Sequence, residues 1–233
     1  QGLTSKAYAA KQAQRIDFKK VAKEVVPGDP WPFDRDMASY RADGIDERIS
    51  TSSFSVADKM GNIVAATNTI NYFFGSGVMV PGYGIVLNNE MDDFSWDPKS
   101  VNAPEPGKRP LSSMSPTVVL TPDGEPFMSV GAAGATRIIT AVSQIIMNVV
   151  DFGMSMDDAI EQARIYNLVS GSKAGNLFAE EGIDPMALEV LGVKGHTVEL
   201  KPKAGAFGTA QGILFDPVKG LNGGADSRRL GVP

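Results

Sequence analysis

Three hydroxyl side chains stand together at Thr51, Ser52 and Ser53, directly before an alternating run that predicts a strand. A threonine hydroxyl is a poor nucleophile unless a base lies beside it. One source of that base is the residue's own α-amine, which becomes free when the chain is cut immediately before it. Such chemistry at Thr51 requires cleavage between Ser50 and Thr51. The alternative is that the three hydroxyls lie at a strand edge and have no chemical role.

The composition restricts where else a base could come from. The chain has no cysteine and one histidine, His196. A thiol nucleophile and a thiolate metal site are therefore excluded, and a Ser-His-Asp arrangement or a histidine-based metal site is disfavoured. We expect His196 to lie at the surface or at a strand end, and we expect no metal and no organic cofactor.

The chain as a whole has the composition of a soluble globular protein of one or two domains. It has 233 residues, of which 42% are hydrophobic and 21% are charged, and its net charge is −5. Scattered Lys and Arg residues form no basic patch, so nucleic acid is not an expected partner. No apolar run approaches the roughly 20 residues that a membrane-spanning helix needs.

The first fifty residues differ from the rest. Ser5 is a suitable helix cap, and helix-forming residues follow it, which predicts a helix over residues 4–24. The Pro-, Gly- and Asp-rich stretch after it predicts a long exposed connector up to about Ile49. A cleavage in such a segment would leave the fold intact.

From Thr51 onward the pattern predicts strands and turns. FSVAD and NIVAATNTIN flank a KMGN turn in which Gly61 supplies a positive φ, and SPTVVL and EPFMSVG flank TPDG. Both pairs predict hairpins. HTVEL and TAQGILFD predict two closing strands.

Three helices are predicted among these strands. Residues 136–151 are nearly all apolar and predict a helix buried between layers; a second helix opens at Ser155, and a third spans residues 184–191 with Asp184 as its cap. The sum is an α+β fold in which helices cover a mostly antiparallel sheet.

Several segments, in this order and spacing, resemble one family. They are TSSFSVADKMGNIVAATNTIN, GIVLNNEMDDF, KRPLSSMSPTVVL, GAAGATRIIT and GGADSRR. They resemble the gamma-glutamyltranspeptidase family of N-terminal-nucleophile hydrolases, from about Leu3 to the end of the chain. The resemblance implies part of a four-layer αββα sandwich. It also implies a precursor that cuts itself, with residues 1–50 as the tail of the large subunit and residues 51–233 as the whole small subunit.

The resemblance implies a catalytic set. Thr51 matches the nucleophile for both self-cleavage and substrate attack, and Thr69 matches a threonine that contacts the nucleophile and its new amine. Gly134 and Ala135 match a Gly-Gly pair whose N–H groups form the oxyanion hole. The alternative for GAAGA is a tight turn before the apolar helix.

The resemblance also implies a binding set for a free amino-acid head group. Asn71, Glu90 and Asp93 match residues that receive the substrate's α-amino group, and Ser112 and Ser113 match a pair that holds its α-carboxylate. Each residue also has an ordinary alternative, as part of a solvated polar rim or as a turn cap before a proline.

Three departures from the family pattern stand out. The family usually has Thr-Thr-His where this chain ends its hydroxyl cluster with Ser53, and Ala135 replaces a glycine. Most of the large subunit, including an arginine that clamps the α-carboxylate, is also absent from this chain. We therefore expect the missing N-terminal portion as a partner, or self-association in its absence.

The expected function is γ-glutamyl transfer or hydrolysis, with glutathione and related compounds as substrates, through a threonyl acyl-enzyme. Two alternatives stay open: a related acylase or poly-γ-glutamate-cleaving enzyme of the same fold, and a catalytically silent, unprocessed fragment. The family is often exported, but the cysteine-free composition suits the cytoplasm equally well.

Overall fold

The computed structural model describes residues 2–22, 28–29, 32, 51–167 and 175–229. Its α-helices are α1 (Lys6–Ala13), α2 (Arg137–Val150), α3 (Met156–Glu161), α4 (Pro185–Val193) and α5 (Lys203–Ala206). Its strands are β1 (Thr51–Ala57), β2 (Ile63–Thr69), β3 (Met79–Val80), β4 (Ile85–Val86), β5 (Thr117–Leu120), β6 (Pro126–Ala133), β7 (Ile165–Asn167), β8 (Leu177–Glu180), β9 (Val198–Lys201), β10 (Thr209–Asp216) and β11 (Gly220–Ala225).

The central sheet has four antiparallel strands in the order β11-β10-β6-β5. The predicted hairpin around TPDG is confirmed as the β5–β6 connection, where Gly124 has a φ of 90°. The predicted strand TAQGILFD is β10, which pairs with β6 on one side and β11 on the other. HTVEL contains β9, but this strand belongs to a separate β7-β8-β9 sheet, where it runs parallel to β8.

Helices α2 and α3 cover one face of the central sheet. The main core forms between them, and its largest fully buried members are Met128, Val130, Ile138, Ile145, Met156 and Ile160. The prediction that the apolar helix is buried between layers was wrong for the described residues. Ile139, Met147 and Val150 are each about half exposed on its other face among the described residues, because α2 packs on one side only.

The hairpin β1–β2 packs against the opposite face of the central sheet. Ser129 on β6 donates a hydrogen bond to Ser55 Oγ at 2.8 Å, and a Cβ added to Gly131 would lie 2.3 Å from Ser53 Oγ. Small side chains thus let the two sheets approach closely. The described layers run helix, sheet, hairpin, and the α+β prediction is confirmed.

Two helix lengths differ from the predictions. Helix α1 begins after the predicted cap Ser5 but ends at Ala13, not at residue 24. None of its residues is buried, and Ile16 and Phe18 are exposed, so no packed face stabilises a longer helix. Helix α3 begins after Ser155 as predicted but ends at Glu161, and β7 follows it.

Helix α4 fits its prediction, since Asp184 accepts a hydrogen bond from Met186 N–H at 2.8 Å at its first turn. The predicted connector lies almost wholly outside the described residues, and so does Ser50. No helix in the described ranges is both long and apolar enough to cross a membrane.

Candidate active site

Thr51 and Thr69 face each other across the β1–β2 hairpin. They are the first residue of β1 and the last of β2, and they are register partners. The two hydroxyl oxygens lie 3.1 Å apart, and Thr51 is only 9% exposed. Side chains alternate along a strand, so Thr51, Ser53 and Ser55 face the central sheet, while Ser52 faces away. The hydroxyl cluster therefore divides between two faces.

Asn71 turns the chain just after β2. Its φ is 72°, a left-handed conformation that asparagine tolerates better than most residues. Its N–H donates to Thr69 Oγ1 at 2.9 Å, and its side-chain amide donates to Asp93 Oδ1 at 3.2 Å. One residue thus connects the threonine pair with the acidic side of the site.

Glu90 and Asp93 are the two ends of a short 3₁₀ helix, Glu90–Asp93. Burial raises the pKa of Glu90, and the neighbouring Asp93 charge and a hydrogen bond with it raise it further. Burial also raises the pKa of Asp93, although hydrogen bonds from Asn71 and Glu90 partly oppose the change. The pKa of both carboxyls is therefore above its ordinary value.

Ser112 and Ser113 lie in the loop that leads to β5. Ser112 Oγ accepts a hydrogen bond from Met114 N–H at 3.2 Å, and the Ser113 carbonyl accepts one from the Ser115 hydroxyl at 3.1 Å. These local bonds hold the loop in place beside Thr51, Glu90 and Asp93 in the pocket lining.

Gly134 and Ala135 form the turn between β6 and α2. Gly134 has a φ of 142°, and a Cβ there would lie 2.8 Å from Gly208 Cα, so only glycine fits. Ala135 has a φ of 50°, in the left-handed region that costs a side-chain-bearing residue about 1–2 kcal/mol. The replaced glycine of the family pattern thus falls at a position where the backbone does need a positive φ.

These residues surround one pocket with an empty volume of about 480 Å³, part of it open to solvent. Of the nine predicted site residues, all but Gly134 line it, and the full lining is Thr51, Thr69, Asn71, Glu90, Asp93, Leu111, Ser112, Ser113, Met114, Ala135 and Ile138. Among the described residues, no three His, Asp or Glu side chains cluster as metal ligands would.

Sequence reasoning missed two kinds of site residue. Leu111, Met114 and Ile138 supply an apolar wall; they stand inside the segments KRPLSSMSPTVVL and GAAGATRIIT, but no role was assigned to them from the sequence. Asn89 and Asn102 lie behind the pocket; Asn89 Oδ1 accepts from Tyr72 N–H at 3.1 Å, which fixes the loop after β2. Asn89 stands inside the LNNEMDDF segment, so the segment itself was the available signal.

The family model described as Gamma-glutamyltranspeptidase matches residues 1–233, the entire chain. The chain belongs to the gamma-glutamyltranspeptidase family. The resemblance seen in the sequence is therefore confirmed, and the pocket is that of a gamma-glutamyltranspeptidase family member.

One curated relative is the glutathione hydrolase proenzyme of Bacillus subtilis strain 168. It is 37% identical over 237 residues, which cover 99% of this chain and 39% of the relative. The chain thus spans about two fifths of the length of this gamma-glutamyltranspeptidase relative.

Solved structures give the same fold. A mutant gamma-glutamyltranspeptidase from Helicobacter pylori matches with a TM-score of 0.67 and 38% identity, over 76% of this chain and 98% of that one. Cephalosporin acylase from Bacillus halodurans matches with a TM-score of 0.79 and 28% identity, over 100% of this chain and 38% of that one. The predicted fold of N-terminal-nucleophile hydrolases is confirmed.

Proposed function

We propose that this chain is the catalytic part of an enzyme that transfers or hydrolyses γ-glutamyl groups, with glutathione and related compounds as substrates. The observation that carries the proposal is the pocket itself, where the Thr51 hydroxyl, a carboxylate pair and a serine pair meet. A γ-glutamyl compound offers three matching groups: a γ-carbonyl, an α-ammonium and an α-carboxylate. The relative named glutathione hydrolase proenzyme supports the same activity.

Self-cleavage comes first in this proposal. Thr51 Oγ attacks the carbonyl carbon of Ser50, the peptide C–N bond breaks, and its nitrogen takes up the hydroxyl proton. Water then hydrolyses the resulting ester. Cleavage leaves residues 1–50 as the end of the large subunit and residues 51–233 as the small subunit, with a free α-amine on Thr51.

Catalysis uses the new amine. It accepts the proton of Thr51 Oγ as this oxygen attacks the γ-carbonyl carbon, and Thr69 Oγ1, 3.1 Å away, orients the nucleophile. The N–H groups of Gly134 and Ala135 stabilise the oxyanion. The γ-amide C–N bond then breaks, the ammonium returns its proton to the leaving amine, and an acyl-Thr51 ester remains. Water or an amino acid releases the γ-glutamyl group, which gives ping-pong kinetics.

Head-group binding follows from charge and hydrogen bonding. The ionised Glu90 and Asp93 carboxylates attract the α-ammonium, and the Asn71 side-chain oxygen adds an acceptor. The hydroxyls of Ser112 and Ser113 donate to the α-carboxylate. The described pocket lining offers that carboxylate hydroxyls and no Lys or Arg, so we expect the N-terminal portion of the precursor to supply its cationic partner.

The outer face of the β1–β2 hairpin supports pairing with that portion. Phe54, Val56 and Val64 are each about half exposed there, and the sheet-facing side of the hairpin is already packed. An apolar strand pair left in water favours association. We expect the N-terminal portion to cover this face, and we expect the chain alone to self-associate.

A test of self-cleavage is the intact mass of the chain expressed with the N-terminal portion of its precursor. Wild type should yield a fragment of residues 51–233. Thr51→Ala should remain whole, and Thr51→Ser, which keeps a hydroxyl, should still be cut. A wild type that stays whole under these conditions would favour the silent, unprocessed alternative.

The acylase alternative is favoured by the fit to cephalosporin acylase. Two anilides separate it from the leading proposal, because a glutaryl group differs from a γ-glutamyl group only in lacking the α-amine. An enzyme that uses Glu90 and Asp93 for an ammonium should strongly prefer the γ-glutamyl anilide. Equal or faster turnover of the glutaryl anilide would favour the acylase.

A further inference from the structure

Asn102 lies behind the pocket, in the loop between the acidic 3₁₀ helix and the serine pair. It is 9% exposed and is not among the pocket-lining residues. Its Nδ2–H donates to the carbonyl of Asp93 at 2.7 Å, and its Oδ1 accepts from Leu111 N–H at 3.0 Å. One side chain therefore joins the two sides of the head-group site.

The backbone of Asn102 is fixed by hydrogen bonds of its own. The carbonyl of Asn102 accepts from Ser95 N–H at 3.0 Å, and its N–H donates to Ser100 Oγ at 3.1 Å. Ser100 and Ala103 on either side are buried. Because the backbone of Asn102 is fixed, its side chain can hold the Asp93 carbonyl and the Leu111 N–H at a constant separation.

We propose that Asn102 is a positioning residue that sets the spacing between the two halves of the head-group site. These halves are the ammonium-binding pair, Glu90 and Asp93, and the carboxylate-binding pair, Ser112 and Ser113. The inference rests on the proposed γ-glutamyl activity. Asn102 does not touch the substrate. It makes the site selective for a head group that carries both charges at the separation found on one α-carbon.

The choice of side chain follows from the two bonds. Asparagine provides one donor and one acceptor on a short planar group, and both are used. Aspartate has a similar shape but, when ionised, cannot donate to the Asp93 carbonyl. Leucine fills the same volume and makes neither bond. Either replacement releases at least one side of the pocket from the other.

The test uses Asn102→Asp and Asn102→Leu in the chain expressed with its N-terminal portion. Three anilides serve as probes: γ-glutamyl, glutaryl, which lacks the α-amine, and γ-aminobutyryl, which lacks the α-carboxylate. The KM for the γ-glutamyl anilide should rise about tenfold or more, because a small misplacement of binding groups is costly. Preference over the two analogues should fall by a similar factor, with kcat changed much less.

Self-cleavage provides a separate measure of folding, since it uses Thr51 and neither the ammonium-binding pair nor the carboxylate-binding pair. Both variants should still yield the fragment of residues 51–233. A variant that is not cut is misfolded, and the other variant then decides. Asn148→Leu is the matched control, because Asn148 Nδ2–H donates to the Ala159 carbonyl at 3.2 Å between α2 and α3, away from the pocket lining.

The outcomes are distinct. Asn102 variants that are cut and keep the wild-type KM and selectivity would overturn the inference alone. An equal loss of selectivity in Asn148→Leu would also overturn it, since the effect would then be general loosening. A wild type that is cut but does not turn over γ-glutamyl anilide would overturn the proposed function, and this inference with it.

Discussion

At the scale of single residues, the acidic pair is the most informative part of the site. Glu90 and Asp93 are half-buried side by side, which raises the pKa of both. Burial of like charges costs free energy that an incoming ammonium can recover. The raised pKa values therefore support our proposal that this pair receives the ammonium of the substrate.

This pair predicts the acid side of the pH profile. Ammonium binding is fully present above the raised pKa values and is lost as the pH falls through them. Turnover also needs the Thr51 α-amine in its unprotonated form, so binding is measured separately, as 1/Ki for competitive inhibition by norvaline, which has the same head group and no γ-amide. The acidic limb of this binding should lie above pH 4.5, the ordinary pKa of a glutamate. Glu90→Gln should move the limb to lower pH and raise KM, while Glu105→Gln, an exposed acid in an ion pair with Lys108, should do neither. An unchanged limb in Glu90→Gln would contradict this account.

Ala135 predicts a stabilising substitution. At its φ of 50°, Ala135→Gly should raise the free energy of unfolding by up to about 1 kcal/mol, since relief of strain outweighs the added freedom of the unfolded chain. Ala132→Gly is the control, because Ala132 is buried inside β6 and its replacement should destabilise. Denaturant unfolding of both measures the difference. Equal destabilisation by both would show that Ala135 is unstrained.

At the scale of elements, the hairpin that begins with Thr51 packs against β6 through small side chains. Ser53 lies against Gly131, and Ser55 is hydrogen-bonded to Ser129. The position of Thr51 therefore depends on the close approach of β1 to β6. Ser53, where the family usually has histidine, lies at this contact.

A double-mutant cycle tests whether Ser53 and Gly131 are in contact. Gly131→Ala should cost about 1–3 kcal/mol by overpacking, because its Cβ would lie 2.3 Å from Ser53 Oγ. In Ser53→Ala the hydroxyl is gone, so Gly131→Ala should cost clearly less in that background. Denaturant unfolding of the four proteins gives the coupling. Simple additivity would mean that the two residues do not meet.

At the scale of the whole molecule, charges remote in sequence hold the C-terminal segment in place. Arg228 makes two bonds to Glu180, at 2.6 and 2.9 Å, and one to Asp226 at 2.9 Å. Arg164 pairs with Asp226 at 3.0 Å, and all four side chains are buried. The segment also contacts the first residue of β1, since Arg229 donates to the Thr51 carbonyl at 3.5 Å.

The pKa of Glu161 predicts how the free energy of unfolding changes at low pH. Partial burial opposes its ionisation, but hydrogen bonds from Lys203 and Ser227 outweigh burial and lower its pKa to about 2. Stability from this group is present above the unfolded pKa of about 4.5 and is lost as the pH falls toward 2. Glu161→Gln should therefore be less stable than wild type at pH 6, and the gap should close by pH 2. A gap for Glu161→Gln that stays constant from pH 6 to pH 2 would contradict the assignment.

The sequence by itself determined the local elements and the family. The turns at Gly61 and TPDG, the caps at Ser155 and Asp184, and the apolar run of α2 depend on residues close in the chain, so pattern and turn chemistry were enough. Helix α1 was predicted too long because the end of a helix depends on what the helix packs against. The sequence pattern does not contain that information, and α1 has no packed face.

Only the tertiary structure decided the rest. The pocket joins Thr51 to residues 18 to 87 positions further along the chain. The Asn102 amide bonds to backbone nine positions away, and Arg228 bonds to Glu180, 48 positions away. Loops without periodicity take their shape from such bonds, and burial and hydrogen bonding together decide which carboxylates change their pKa. Neither long-range hydrogen bonding nor burial of a charge leaves a local pattern, so residue order alone could not reveal them.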